Sequence, residues 1–192
     1  MRIIELSSNK KSFRTVRFNP NGLSIVVGRK SDPDDHDRSH SYNGVGKSLL
    51  IYLINFCLGA KANPTLGEKL PGWEFCLKFE LKNKNYEVVR STASQNKVQL
   101  DEEEMSLTTY TDLLGDLLFD LKSRVKFLTY RCLVSQFVRQ GKPGYISYNQ
   151  TANGEKQYQK QIRSAYLLGL DEKLVNRKRE LREESVLSLI HI

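Results

Sequence analysis

The sequence predicts an α/β fold organised around a phosphate-binding loop, and three observations carry that expectation. The stretch SHSYNGVGKSLL, Ser39–Leu50, has Asn43-Gly44-Val45-Gly46-Lys47-Ser48-Leu49 placed between an aliphatic run and an amphipathic segment. Trp73–Leu81 (WEFCLKFEL) and Tyr86–Ser91 (YEVVRS) alternate at period two, as an antiparallel hairpin does. The charged stretch DEKLVNRKRELREE from Asp171 has the spacing of a long surface helix.

Taken in order, Arg2–Leu6 is a short β-rich run, and Arg14–Phe18 alternates charged and apolar residues like a half-buried strand. Asn19-Pro20-Asn21-Gly22 marks a turn. The continuous run Leu23–Val27, closed by Gly28, suits a buried central strand. The polar segment RKSDPDDHDRSHSY follows and reads as an exposed insertion. Its acidic residues Asp32, Asp34, Asp35 and Asp37 do not match a calcium loop, because Pro33 interrupts them. Leu49, Leu50, Leu53, Ile54, Cys57 and Leu58 recur at helical spacing, and Gly59 is a natural stop.

The hairpin is expected to turn at Lys82–Asn85, with Val98–Leu100 adding a short strand. A helix or helix pair is expected from Ser106, a strand over Val125–Leu128 and a short helix over Leu133–Arg139, ended by Lys142-Pro143-Gly144. Gly154–Leu168 predicts a helix, and Asp171 caps the last one, with Leu174 and Leu181 seven residues apart on a narrow seam. The final SVLSLIHI breaks that charged pattern; residues 186–192 have the look of a non-native tail.

With 192 residues the chain is long enough for an ordinary core. Its 27% charged content rules against neither a fold nor solubility, and the net charge of +8 favours a polyanionic partner over a membrane. Cys57 and Cys76 lie in apolar runs, and Cys132 completes no C-x-x-C pair, so core thiols in a reducing cytoplasm are expected. Three histidines without paired spacing give no reason to expect zinc. The N-terminus reads as too weakly apolar for a signal peptide, and Leu49–Leu58 is too short to span a bilayer.

The loop departs from G-x-x-x-x-G-K-[ST] at one position, where Ser41 replaces the first glycine. Gly28 can supply the turn instead, with the insertion between it and the wrapping part. Gly44 and Gly46 allow the backbone to curl around phosphate oxygens, Lys47 reaches the β- and γ-phosphates, and Ser48 offers a hydroxyl to Mg²⁺. The helix that follows adds partial positive charge at its N-terminus.

On VVGRK, NGVGKSLLIYLINFCLG, FELKNKNYEVVRS and YLLGLDEKLVNRK, the chain resembles the N-terminal lobe of an ABC-type ATPase head. The similar families are the structural-maintenance-of-chromosomes (SMC), RecF and RecN-like proteins. The nearest group is a bacterial one with a C-terminal domain of unknown function, which includes ATPases of three-component anti-phage systems. The resemblance covers Met1 to about Glu184, and only the phosphate loop is a specific motif. It implies residues 1–169 as a P-loop ATPase lobe and residues 170–185 as the start of a coiled-coil arm. It also implies that the chain is truncated before the signature motif, Walker B acids and switch histidine. ATP and Mg²⁺ would be the cofactors. DNA, a head–head homodimer and accessory proteins would be the partners, in repair, chromosome maintenance or phage defence. The family's metal-side glutamine corresponds to Gln136, with Gln140 as the alternative and a solvated helix glutamine as the plain reading. Lys10, Lys11 or Arg14 would touch phosphate or base, and Arg29 and Lys30 are weaker candidates. VQLDEEE, Val98–Glu104, reads as a charged turn rather than a Walker B strand, so no catalytic carboxylate is assigned.

Two other readings stay open. A self-contained small kinase or GTPase would need a complete site in one domain, and N-K-x-D is absent. A non-enzymatic basic nucleic-acid-binding domain would not need the intact Lys47 and Ser48.

Overall fold

Six strands form one fully antiparallel sheet in the computed structural model, in the order β2-β1-β3-β4-β5-β6. The strands are β1 (Arg2–Ser8), β2 (Val16–Arg17), β3 (Glu74–Leu81), β4 (Lys84–Ser91), β5 (Lys97–Leu100) and β6 (Glu103–Ser106). The helices are α1 (Lys47–Cys57), α2 (Pro64–Lys69), α3 (Leu107–Phe119), α4 (Tyr130–Val134), α5 (Pro143–Ile146), α6 (Gln157–Leu167) and α7 (Glu172–Ile190). The structure describes residues 1–27, 46–121, 125–141, 143–146, 150–151 and 154–190. Two units divide the chain, Met1–Thr111 and Asp112–Ile192.

The first unit is the sheet with α1 and α2. Alternation in β3 buries Phe75, Leu77, Phe79 and Leu81, and Val88 on β4 with Val98 and Leu100 on β5 join them. Leu53, Ile54, Phe56 and Cys57 of α1 are buried with them. The β3–β4 hairpin turns more tightly than expected, on Lys82 and Asn83 alone, with φ of 51° and 61°. Two successive left-handed residues make a type I′ turn, whose twist matches the strands. Asp101 and Glu102, with φ of 47° and 74°, make the β5–β6 turn in the same way. VQLDEEE is therefore strand, turn and strand, as its charge implied.

Several expectations are corrected. Leu23–Val27 is not a buried strand: Leu23 is 77% and Ile25 74% exposed, and neither pairs with the sheet. Its β propensity needs a neighbouring strand, and at this edge lies β2, only two residues long. Arg14–Phe18 shrinks accordingly to Val16–Arg17. Val125–Leu128 is a turn, closed by the Leu128 N–H on the Val125 carbonyl, with Phe127 at φ 70°. The helix expected over Leu133–Arg139 begins earlier, at Tyr130, where the Thr129 hydroxyl accepts from the Cys132 N–H and caps it. Pro143 opens the short α5 rather than a loop, as a first-turn proline can. Ser106 ends β6, and its hydroxyl accepts from Thr109 N–H to start α3. Gly154 precedes α6 by three positions.

In the second unit, Leu114, Leu121, Leu128, Tyr130, Leu133, Val134 and Ile162 are buried. Arg163, also buried, is ion-paired with Glu155 and hydrogen-bonds the Thr151 hydroxyl. Helix α6 closes on Gly169 (φ 68°), whose N–H meets the Tyr166 carbonyl while Leu170 N–H meets that of Ala165. Asp171 then caps α7, accepting from Lys173 N–H at 2.9 Å. Leu174 and Leu181 are exposed on this helix, which continues to Ile190.

Candidate functional site

The described part of the phosphate loop is Gly46, Lys47, Ser48 and Leu49; Asn43, Gly44 and Val45 lie outside the described residues, as do Gly28, Arg29, Lys30, Ser41 and the acidic insertion. Gly46 is the N-cap of α1 with φ 82°, a conformation that costs glycine nothing and other residues strain. Its carbonyl accepts the Leu50 N–H at 3.0 Å and closes the first turn. Lys47 and Ser48 are exposed there, and no acidic residue occupies that turn. The first turn of a helix carries N–H groups without intrahelical acceptors and about half a positive charge. Adding the Lys47 ammonium makes the turn suited to a phosphate.

The opposite end of α1 is closed. Gly59, at φ 82°, ends the helix, with its N–H on the Phe56 carbonyl and Ala60 N–H on that of Asn55. Arg90 is fully buried beneath this end. Its guanidinium donates to the Phe56 carbonyl and to the Gln95 carbonyl at 2.9 Å and 2.6 Å, and lies 4.1 Å from the Phe56 ring centroid. A cation at a helix C-terminus meets the negative end of the dipole. Gln95 in turn accepts from Asn63 N–H at 2.7 Å and donates to the Asn63 carbonyl, while Asn63 donates to the Tyr52 hydroxyl on α1. Tyr110 donates to the Cys57 carbonyl at 3.0 Å. This polar hub fixes α1 from below, so its first turn is presented by a rigid support.

Sequence reasoning missed the hub. One signal was available: in YEVVRS, Arg90 alternates with Val88 and so belongs to the inward face. A charged residue on a core face needs buried acceptors.

Lys10, Lys11 and Arg14 are exposed on the β1–β2 connection. That connection is pinned by Asn9, whose side chain accepts from Glu74 N–H and donates to the Gly72 carbonyl. Phe13 packs edge-on against Phe75, and Phe75 meets Phe56 in the last turn of α1. The described anchors of this loop thus lie toward the closed end of the helix, while Lys47 and Ser48 begin it. Gln136 is half-buried in the turn after α4, its N–H on the Leu133 carbonyl, and Gln140 is also half-buried. Both belong to the second unit, and Ser48 to the first.

Among the described residues no group of three or more His, Cys, Asp or Glu side chains gathers to hold a metal. Mg²⁺ does not require one, because it keeps several waters and takes few protein oxygens beside substrate phosphates. The exposed Ser48 hydroxyl fits that demand. The thiols fit no nucleophilic role. Burial pushes the Cys57 thiol far above its usual range, with Arg90 opposing weakly. Burial, then the nearby Glu87, pushes the half-buried Cys76 up to about 11. Burial also raises Cys132. No helix of the described residues is long and apolar enough to cross a membrane.

No family model and no curated protein matches this chain.

Proposed function

We propose that the chain binds Mg-ATP at its phosphate loop and is the N-terminal half of an SMC-like, ABC-type ATPase head acting on DNA. The observation that carries this reading is the exposed Gly46-Lys47-Ser48 turn, opened by a left-handed glycine on a helix whose other end is locked. In this reading the first-turn N–H groups and the Lys47 ammonium hold the β- and γ-phosphates. Ser48 supplies one oxygen to the magnesium that accompanies the nucleotide.

Hydrolysis requires a base or water-positioning group opposite the γ-phosphate. VQLDEEE is a hairpin, so it offers no apolar strand ending in that carboxylate. In this reading the chain binds nucleotide and a second lobe supplies the acids for turnover. The described sheet is antiparallel throughout, so this reading rests on the loop and not on the sheet. The absence of N-K-x-D from the sequence disfavours a GTPase. The net charge of +8 favours phosphate contacts with DNA, which are weak, salt-sensitive and independent of sequence.

Calorimetry with Mg-ATP on this chain and on Lys47→Ala tests the reading, with hydrolysis followed in parallel. Binding that is lost in the variant, without turnover by either protein, is the expected result. Robust turnover by the isolated chain would point to a self-contained enzyme. Unchanged binding in Lys47→Ala would move the reading to a basic domain whose loop has no phosphate role.

A further inference from the structure

Helices α6 and α7 leave an open groove of about 520 Å³ between them. Its floor is apolar, from Tyr158 on α6 and Val175 on α7, and Lys178 and Arg182 stand along it. From Val175 to Arg182 it runs about 10 Å, two helical turns. The floor is held in place: the Tyr158 hydroxyl donates to Asn176 at 3.0 Å, and the Arg179 guanidinium lies 5.3 Å from the Tyr158 ring centroid.

The charges along the groove are unevenly matched. Arg179 is paired with Glu183 at 2.6 Å, and Arg177 with Glu180 and Glu184 at 3.6 Å and 3.7 Å. These pairs engage the carboxylates on this stretch of α7. Lys178 and Arg182, four residues apart and therefore on one helix face, have no ion-pair partner among the described residues. Two unmatched cations beside an apolar floor call for an occupant that is apolar in the middle and acidic at its edge. A third helix packs into the groove between two others by ordinary ridge-into-groove geometry. Nucleic acid fits less well, because the floor's one aromatic ring is already covered by Arg179, leaving no platform for a base.

We propose that the α6–α7 groove docks an amphipathic helix of a partner protein, with carboxylates beside its apolar stripe pairing with Lys178 and Arg182. This site is independent of the phosphate loop.

The test uses the full chain and two fluorescent synthetic helical peptides of equal length. One carries a leucine stripe flanked by glutamates, and the other has lysines in place of the glutamates. By anisotropy, the glutamate peptide should bind and the lysine peptide should bind at least roughly tenfold more weakly. Lys178→Glu combined with Arg182→Glu should reverse that preference, with circular dichroism confirming that the variant is folded. Lys47→Ala should leave peptide binding unchanged, which separates this site from the nucleotide reading. Equal binding of the two peptides, an unaltered preference in the double variant, or no binding of the glutamate peptide up to about millimolar would overturn the proposal. So would an oligothymidylate that depends on Lys178 and Arg182 while the glutamate peptide does not bind.

Discussion

The two ends of α1 are built on opposite principles. At its C-terminal end Gly59, Arg90 and Tyr110 satisfy carbonyls and bury the last turn. At its N-terminal end Gly46 has no side chain to cap the turn, and Lys47 and Ser48 face solvent. In the proposed reading this helix, eleven residues long, carries stability at one end and ligand binding at the other. A residue at the closed end should matter for folding, and a residue at the open end for binding, with little exchange between the two.

The sharpest way to break that division is Lys47→Ala. Its Mg-ATP affinity should fall by more than about tenfold, while stability in urea stays within about 0.5 kcal/mol, as for exposed substitutions. A large stability loss would mean that the open end is structural. Next is Arg90→Ala, which removes the guanidinium from the Phe56 carbonyl, leaving it the Gly59 N–H, and from the Gln95 carbonyl. We expect a loss of about 3 kcal/mol in urea denaturation, from the lost charge-assisted hydrogen bonds and the cavity left in the core. Nucleotide affinity of the remaining folded protein should be unchanged.

Gly59→Ala tests the same end through the backbone. A Cβ there would meet Thr111 Cγ2 at 2.6 Å, and the residue sits at φ 82°. A loss of about 2 kcal/mol is expected from strain and crowding together, read as a lowered thermal midpoint.

A pH titration extends the comparison to the second unit. Burial raises the Glu155 carboxyl, but hydrogen bonds from Arg163 and Thr151 outweigh it and leave the folded value below the ordinary one. A depressed folded value means stability fully present above the unfolded carboxyl value, about 4.3, and lost as pH falls through the folded one. Glu155→Gln should remove this acid limb from a denaturation series; an unchanged limb would assign it to other carboxylates. The smallest effect is expected from Asn83→Gly in the β3–β4 turn. Asn83 already adopts φ 61°, so glycine should stabilise by a few tenths of a kcal/mol at most.

Much of the first unit was legible because its signals are local. Period two in WEFCLKFEL and YEVVRS marks one buried face, and the hairpin follows from residues adjacent in the chain. Helical spacing and Gly59 gave the C-terminal end of α1 to within one residue. Asp171 announced α7 by the same short-range chemistry. Leu23–Val27 was not legible, since an aliphatic run reports preference for burial and says nothing of whether a neighbouring strand is there. Phe127 misled similarly: hydrophobicity over Val125–Leu128 suggested a strand, but a left-handed turn sets that segment.

By itself the sequence determined the elements whose causes lie within a few residues: the alternating hairpin, the glycine-closed α1, the capped α7 and the glycine-lysine-serine turn that opens α1. Only the tertiary structure decided which charges are buried and which faces stay open. Arg90 became a hub because the C-terminal end of α1 and the β4–β5 connection meet around it, and Lys178 and Arg182 stand beside a groove because α6 folds back onto α7. Those outcomes depend on contacts between residues far apart in the chain, and local propensity carries no information about such contacts.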